Sequence, residues 1–137
     1  MPRRAFHHVD LVVTSVERSL RFYLGLLGPL GWERGGKIVG ERGETVYYLR
    51  GPGAGLGLRD KQSDAHAVPF DRYAVGVHHV AFDAPSREAV DERAAWLRDG
   101  DVEIESGPKP YDYMPGYYAV FFYDPDGIKL EIVFTPD

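Results

Sequence analysis

The sequence predicts an α+β fold made of one unit used twice, each half running strand, helix, three further strands. Three observations carry this. Phe6-His7-His8-Val9-Asp10-Leu11 is echoed by Val77-His78-His79-Val80-Ala81-Phe82. Each echo runs directly into a helix-start signal. After each helix come short runs of strand-forming residues, parted by glycine and proline. Self-similarity at a fixed offset is the mark of a duplicated supersecondary unit. The reading is one domain over residues 1–137, with module one at 5–60, a connector at 61–76 and module two at 77–135.

The elements of module one follow in order. Residues 6–13 read as a strand, with His8, Asp10 and Val12 on one face and His7, Val9, Leu11 and Val13 on the other. Thr14-Ser15-Val16-Glu17 has the form of a capping box, with Glu17 three residues after Thr14. The helix it starts carries an apolar stripe of Val16, Leu20, Tyr23 and Leu27, widened by Phe22 and Leu26. Gly28-Pro29 stops it. Short strands are then expected at 32–33, 37–40, 44–50 and 54–59, separated by Gly-Gly, Arg-Gly and Gly-Pro-Gly. Residues 60–74 are polar and weakly patterned, and carry the isolated His66.

Module two repeats the order. Ser86 is a good N-cap for a helix bearing Ala89, Val90, Ala94, Trp96 and Leu97 and ended by Gly100. Its charged residues Glu88, Asp91, Glu92 and Arg93 are most simply a solvated face. Strands are expected at 102–105, 117–123 and 128–134, with a proline- and tyrosine-rich loop at 106–116. The last two form a hairpin around Asp124-Pro125-Asp126-Gly127, where proline presets one dihedral and glycine accepts positive φ. The aspartates there are read as turn chemistry.

Composition narrows the function. Hydrophobic residues make up 44% of the 137 and aromatics 13%, enough for a sizeable core. A net charge of −5 points away from nucleic acid and from anionic membranes as partners. No apolar run approaches the ~20 residues of a membrane span, and the first residues lack a signal-peptide core. A cytoplasmic location is the expectation. With no cysteine, any metal must take nitrogen and oxygen ligands.

One residue breaks the apolar pattern of the final strand. Glu131 is a carboxylate where burial is expected, and a buried carboxylate needs a cationic or metal partner. If the duplicated modules place their first strands side by side, His8 and His79 face each other and Glu131 lies within reach. Two imidazoles and a carboxylate suit Fe, Mn, Ni, Co or Zn. Three protein ligands leave open positions, as catalytic sites do. A lone strand histidine is most simply a hydrogen-bonded structural residue; the duplication shifts the weight toward ligands. Adjacent residues face opposite ways, so the pattern leaves His7 and His78 as alternatives. Tyr111, Tyr113, Tyr117 and Tyr118 read either as packing or as a substrate wall. The glycines of residues 51–55 are loop punctuation and lack the setting of a phosphate loop.

At this point the chain resembles the vicinal oxygen chelate superfamily, which includes glyoxalase I, fosfomycin-resistance proteins, extradiol dioxygenases, methylmalonyl-CoA epimerase and bleomycin-resistance proteins. The resemblance covers essentially the whole chain. Its marks are His8-Val9-Asp10-Leu11 with a helix ending in Phe22-Tyr23, then His79-Val80-Ala81-Phe82, and Asp124-Pro125-Asp126-Gly127-Ile128-Lys129-Leu130-Glu131. It implies paired βαβββ modules curled into an open half-barrel of mixed sheet with helices outside. It also implies one divalent metal, a small substrate chelating through adjacent oxygens, and a homodimer. The resemblance selects His8 and His79, with Glu131, as ligands. The family's fourth ligand falls on Gly57, a departure from the glyoxalase I pattern. A tyrosine of extradiol enzymes falls on Phe121, a departure from theirs. Strand parity then turns Gly57, Tyr117 and Phe121 toward the cavity, with Gly57 leaving room for substrate or water. Asp10 shares the His8 face. The expected protein is a metal-dependent lyase, isomerase, transferase or dioxygenase. The alternative is a metal-free binding protein of the bleomycin-resistance type.

Overall fold

A computed structural model describes residues 3–62 and 69–136 of the chain. It forms two units, Met1–Val68 and Pro69–Asp137. Residues 63–68, which include His66 and part of the expected connector, lie outside the described residues.

The first unit runs β1 (His8–Val13), α1 (Val16–Leu27), a 3-10 turn (Gly28–Leu30), β2 (Glu33–Val39), β3 (Thr45–Gly51) and β4 (Ala54–Asp60). Its sheet has the order β1-β4-β3-β2, with β1 parallel to β4 and the other pairs antiparallel. The second unit runs β5 (Val80–Asp83), α2 (Arg87–Asp99), β6 (Ile104–Pro110), β7 (Tyr118–Tyr123) and β8 (Lys129–Phe134). Its order, β5-β8-β7-β6, is the same topology, again with only the first and last strands parallel. Two open, mixed four-stranded sheets and two helices give the expected α+β fold, and neither sheet closes into a barrel. Among the described residues no helix is long and apolar enough to cross a membrane.

Each helix covers one face of its own sheet. In α1 the stripe Val16, Leu20, Tyr23, Leu26 and Leu27 is buried; it packs on β3 and β4, where Leu49, Leu56 and Leu58 are buried, as are Leu11 and Val13 of β1. In α2, Val90, Ala94 and Leu97 are buried, and Val120, Phe122, Leu130 and Ile132 supply the sheet side. Because strand side chains alternate, the opposite face of each sheet is left for His8 and Asp10 in one unit and Phe121 and Glu131 in the other.

Four local expectations change. The cap of α1 is Ser15, not Thr14: its extended backbone (φ −139°) lets Oγ accept from Arg18 N at 3.3 Å. Asp60 Oδ1 accepts from Val16 N at 3.1 Å, so a second orphan amide is satisfied from β4. Arg93 is buried rather than solvated, at 8% exposure. It sits three residues after Val90 and four before Leu97, on the apolar stripe, with its guanidinium 5.9 Å from the Trp96 ring centre. Gly35-Gly36 does not divide two strands; β2 runs through it with a register shift between Arg34 and Lys37. β6 likewise continues to Pro110, where a loop was expected. It tolerates Gly107 (φ +85°) and two prolines because it is an edge strand, where a missing donor costs no ladder bond.

The hairpin turn between β7 and β8 depends on one side chain. Asp124, 5% exposed, accepts through Oδ1 from Asp126 N at 2.8 Å and Ile128 N at 2.9 Å. Gly127 takes φ +83°, the left-handed conformation the turn requires. Replacing Asp124 with alanine leaves two amides without this acceptor. Asp124→Ala is expected to cost about 2–4 kcal/mol in urea unfolding and Asp124→Asn clearly less. Equal losses would show that the oxygen acceptor is not what matters.

Candidate functional site

The helix-free face of the second sheet carries the densest polar cluster. Glu131 lies in mid-β8, opposite Ala81 on β5 and Phe121 on β7. It is 1% exposed. Its Oε1 is 3.0 Å from His79 Nε2, and its Oε2 accepts from the Tyr117 hydroxyl. His79 immediately precedes β5, so the parallel pairing of β5 with β8 brings imidazole and carboxylate together. The other ring nitrogen of His79, Nδ1, lies 2.8 Å from Nδ1 of His78. Desolvation, then the His79 ring, push the His78 pKa below the ordinary histidine value and favour its neutral form. The two histidines that pattern alone offered as alternatives are thus bonded to each other, with His79 Nε2 turned to the carboxylate.

A cavity of about 480 Å³ opens over this group. Tyr111 and Tyr113 stack at 5.4 Å between ring centres, and Tyr117 stands perpendicular to both. The Phe121 ring meets Tyr111 edge-on at 5.3 Å. Tyr117 and Phe121 both line this cavity, with Tyr111 and Tyr113 from the preceding loop beside them. Tyr118 turns elsewhere and donates to Asp91 on α2 at 2.5 Å. The floor also carries charge. Glu105 accepts from Lys129 at 2.8 Å and Arg72 at 2.9 Å. The Lys129 hydrogen bond, with both positive charges, holds the Glu105 carboxyl below the usual carboxylate range.

The first unit has a related group on the matching face. His8 opens β1, and its Nδ1 is 2.9 Å from Nδ1 of His7, the arrangement of His78 and His79 again. His8 Nε2 lies 3.8 Å from Asp10 Oδ1. Asp10 Oδ2 accepts from Arg59 Nη2 at 2.8 Å. The expectation that Gly57 leaves room for substrate or water is corrected here. Gly57 pairs with Asp10 across the β1–β4 ladder. A Cβ at 57 would lie 2.1 Å from Asp10 Oδ1 and 2.8 Å from the Tyr48 ring, so those side chains occupy the space. A second cavity, also about 480 Å³, adjoins His7, His8, Tyr48 and Gly55. Among the described residues no group of three or more His, Asp or Glu side chains is gathered as a metal-ligating cluster. In the second unit His79 and Glu131 come together as a pair.

Sequence reading missed the clamps on the carboxylates. Arg59 was legible in principle: it sits two residues after Gly57, on the same face of β4 as the His8–Asp10 side of β1. The contribution of Arg72 was not, because it comes from an irregular segment.

A model of the Glyoxalase/Bleomycin resistance protein/Dioxygenase superfamily matches residues 5–132. Protein YqjT of Bacillus subtilis, itself uncharacterized, is 30% identical over 131 residues, covering 93% of this chain and 96% of that one. The metallothiol transferase FosB of Staphylococcus epidermidis is 26% identical over 129 residues, covering 94% and 82%. Among solved structures, a candidate glyoxalase from Bacillus halodurans superposes with a TM-score of 0.81 at 32% identity, covering 96% of each chain.

Burial, then the hydrogen bond to Glu131, raises the Tyr117 pKa well above the ordinary 10. The bond's stability is therefore full below pH 10, where an unfolded tyrosine is still protonated, and is lost as pH climbs beyond it. Tyr117→Phe is expected to cost about 1.5 kcal/mol in urea unfolding near pH 8 with chelator present. The gap between wild type and variant should close as pH rises above 10. A gap that stays constant would count against the bond.

Proposed function

The chain belongs to the Glyoxalase/Bleomycin resistance protein/Dioxygenase superfamily, and from that premise we propose that it is a divalent-metal-dependent enzyme acting on a small oxygen-bearing substrate. His8, His79 and Glu131 are the proposed ligands. The observation that carries this is Glu131: a carboxylate 1% exposed, with one oxygen turned to an imidazole Nε2 and the other held by a phenol. A buried carboxylate is costly unless its charge is compensated, and a cation at that point removes the cost.

The donor set fits such an ion. His8 and His79 each engage Nδ1 with a neighbouring histidine, which leaves Nε2 as the ligating atom. Nitrogen and oxygen donors without sulfur suit Mn, Fe, Co, Ni or Zn. When bound, the metal supplies Lewis acidity toward a substrate oxygen. Tyr117 orients Glu131 through its hydroxyl. Phe121, Tyr111 and Tyr113 form the wall against which the rest of the substrate lies, and they keep water from that side. Gly57 acts only by admitting Asp10. The name of FosB, a metallothiol transferase, makes transfer of a thiol one reaction class within this proposal. We further place the protein in the cytoplasm as a homodimer. A metal-free binding protein is the second reading, and it rests on the tyrosine wall, which would hold a flat ligand without any ion.

Metal content separates the two. Purified wild type equilibrated with Mn, Fe, Ni or Zn should retain near-stoichiometric metal after desalting, and Glu131→Ala should not. Retention by neither protein would sink the enzyme reading in favour of the binding one. A mixing experiment reads whether ligands come from one chain or two. His8→Ala and Glu131→Ala variants, each unable to bind, are unfolded and refolded together. If the ligands are shared between copies, mixed dimers regain one intact site; if each chain holds its own, none returns.

A further inference from the structure

We propose that Asp10 is a further metal-donor carboxylate, transferred from the last strand of its unit to the first. The inference rests on the metal reading above and adds a residue to it.

The two units share one topology, so their ladders can be matched position by position. In the second unit Ala81 on β5 stands opposite Glu131 on β8. In the first unit the same rung joins Asp10 on β1 to Gly57 on β4. One rung thus carries a small residue and a carboxylate in both units, with the strands exchanged. The exchange is spatial as well as formal. A Cβ at 57 would lie 2.1 Å from Asp10 Oδ1, so the aspartate head occupies the space where a side chain at 57 would begin.

The surroundings match in kind. Each carboxylate turns one oxygen to the Nε2 of its unit's histidine, at 3.0 Å for Glu131 and 3.8 Å for Asp10. Each has its other oxygen fixed by a donor, the Tyr117 hydroxyl in one case and Arg59 Nη2 in the other. Ligating carboxylates are characteristically held this way through their second oxygen. The inner oxygen of Asp10 has no such bond: Oδ1 is buried and without a hydrogen-bond partner among the described residues. Arg59 balances the charge through Oδ2 but leaves Oδ1 desolvated, at a cost that a bound cation would lift. Two donors about 2.1 Å from one ion stand up to ~4.2 Å apart, so an Nε2–Oδ1 distance of 3.8 Å is within reach of a shared metal. A simple Asp10–Arg59 ion pair accounts for Oδ2 and not for Oδ1.

The test uses the full chain and Mn(II) or Co(II) as probe, with affinity read by titration calorimetry and the ligand field by Co(II) absorption. Asp10→Asn keeps the shape and an acceptor for Arg59 but removes the anionic donor. It should leave thermal unfolding in chelator close to wild type and weaken metal binding about tenfold or more. Asp10→Ala should weaken it at least as much. If Asp10→Asn binds as tightly as wild type, with the same spectrum, while Glu131→Ala does not bind, this inference is overturned and the ligand triad stands. If wild type binds neither ion, the metal reading is overturned and this inference falls with it.

Discussion

In each unit the first strand pairs in parallel with the last, and a parallel pair cannot be closed by a tight turn. The chain between must cross the sheet, and here a helix makes that crossing. This single constraint sets both faces of each sheet. The crossover helix claims one face for the apolar core. The other face is left with the side chains of the first and last strands next to each other on neighbouring rungs. Any imidazole at the start of the first strand then meets whatever the last strand carries. His79 and Glu131 are brought together in this way, and so are His8 and the Asp10–Gly57 rung.

A buried carboxylate makes that meeting consequential. Glu131 sits in a sheet whose opposite face is filled by Phe122, Leu130 and Ile132, and it is shielded from water by Phe121 and the tyrosines. In such surroundings electrostatic interactions are stronger than at the surface. The groups around it flank strands of the sheet, His79 immediately before β5 and Tyr117 immediately before β7. The same low polarity makes the tyrosine wall a natural seat for the less polar part of a ligand, with Lys129 and Glu105 also lining the cavity.

The fold was largely legible because duplication wrote it twice. The His-His-Val echo, the two caps and the Asp-Pro-Asp-Gly turn located the elements without any tertiary information. Errors fell where tertiary context overrides local chemistry. Glycine and proline in β2 and β6 read as breaks, because nothing local reveals that a strand lies at a sheet edge, where they are tolerated. Arg93 read as solvated because its charge outweighed its position on the stripe. Glu131 and His79 stood out by parity and by repetition, whereas Gly57 was misread. A glycine signals space, but the sequence does not say which neighbour takes that space, and here Asp10 and Tyr48 do.

The irregular edges have a consequence for association. β2 and β6 each form one edge of their sheet, and both carry register shifts; β6 adds two prolines. A distorted edge with missing donors is a poor template for another strand. The remaining edges are β1 and β5, which are short, regular and free of proline, and β1 exposes Val9 and Val12. Sheet extension is therefore barred on one side of each unit and open on the side that bears the histidines. Whatever strand docks there, in assembly or in misassembly, arrives beside His8 or His79, so crowding by aberrant oligomers would reach these imidazoles before it reached the core.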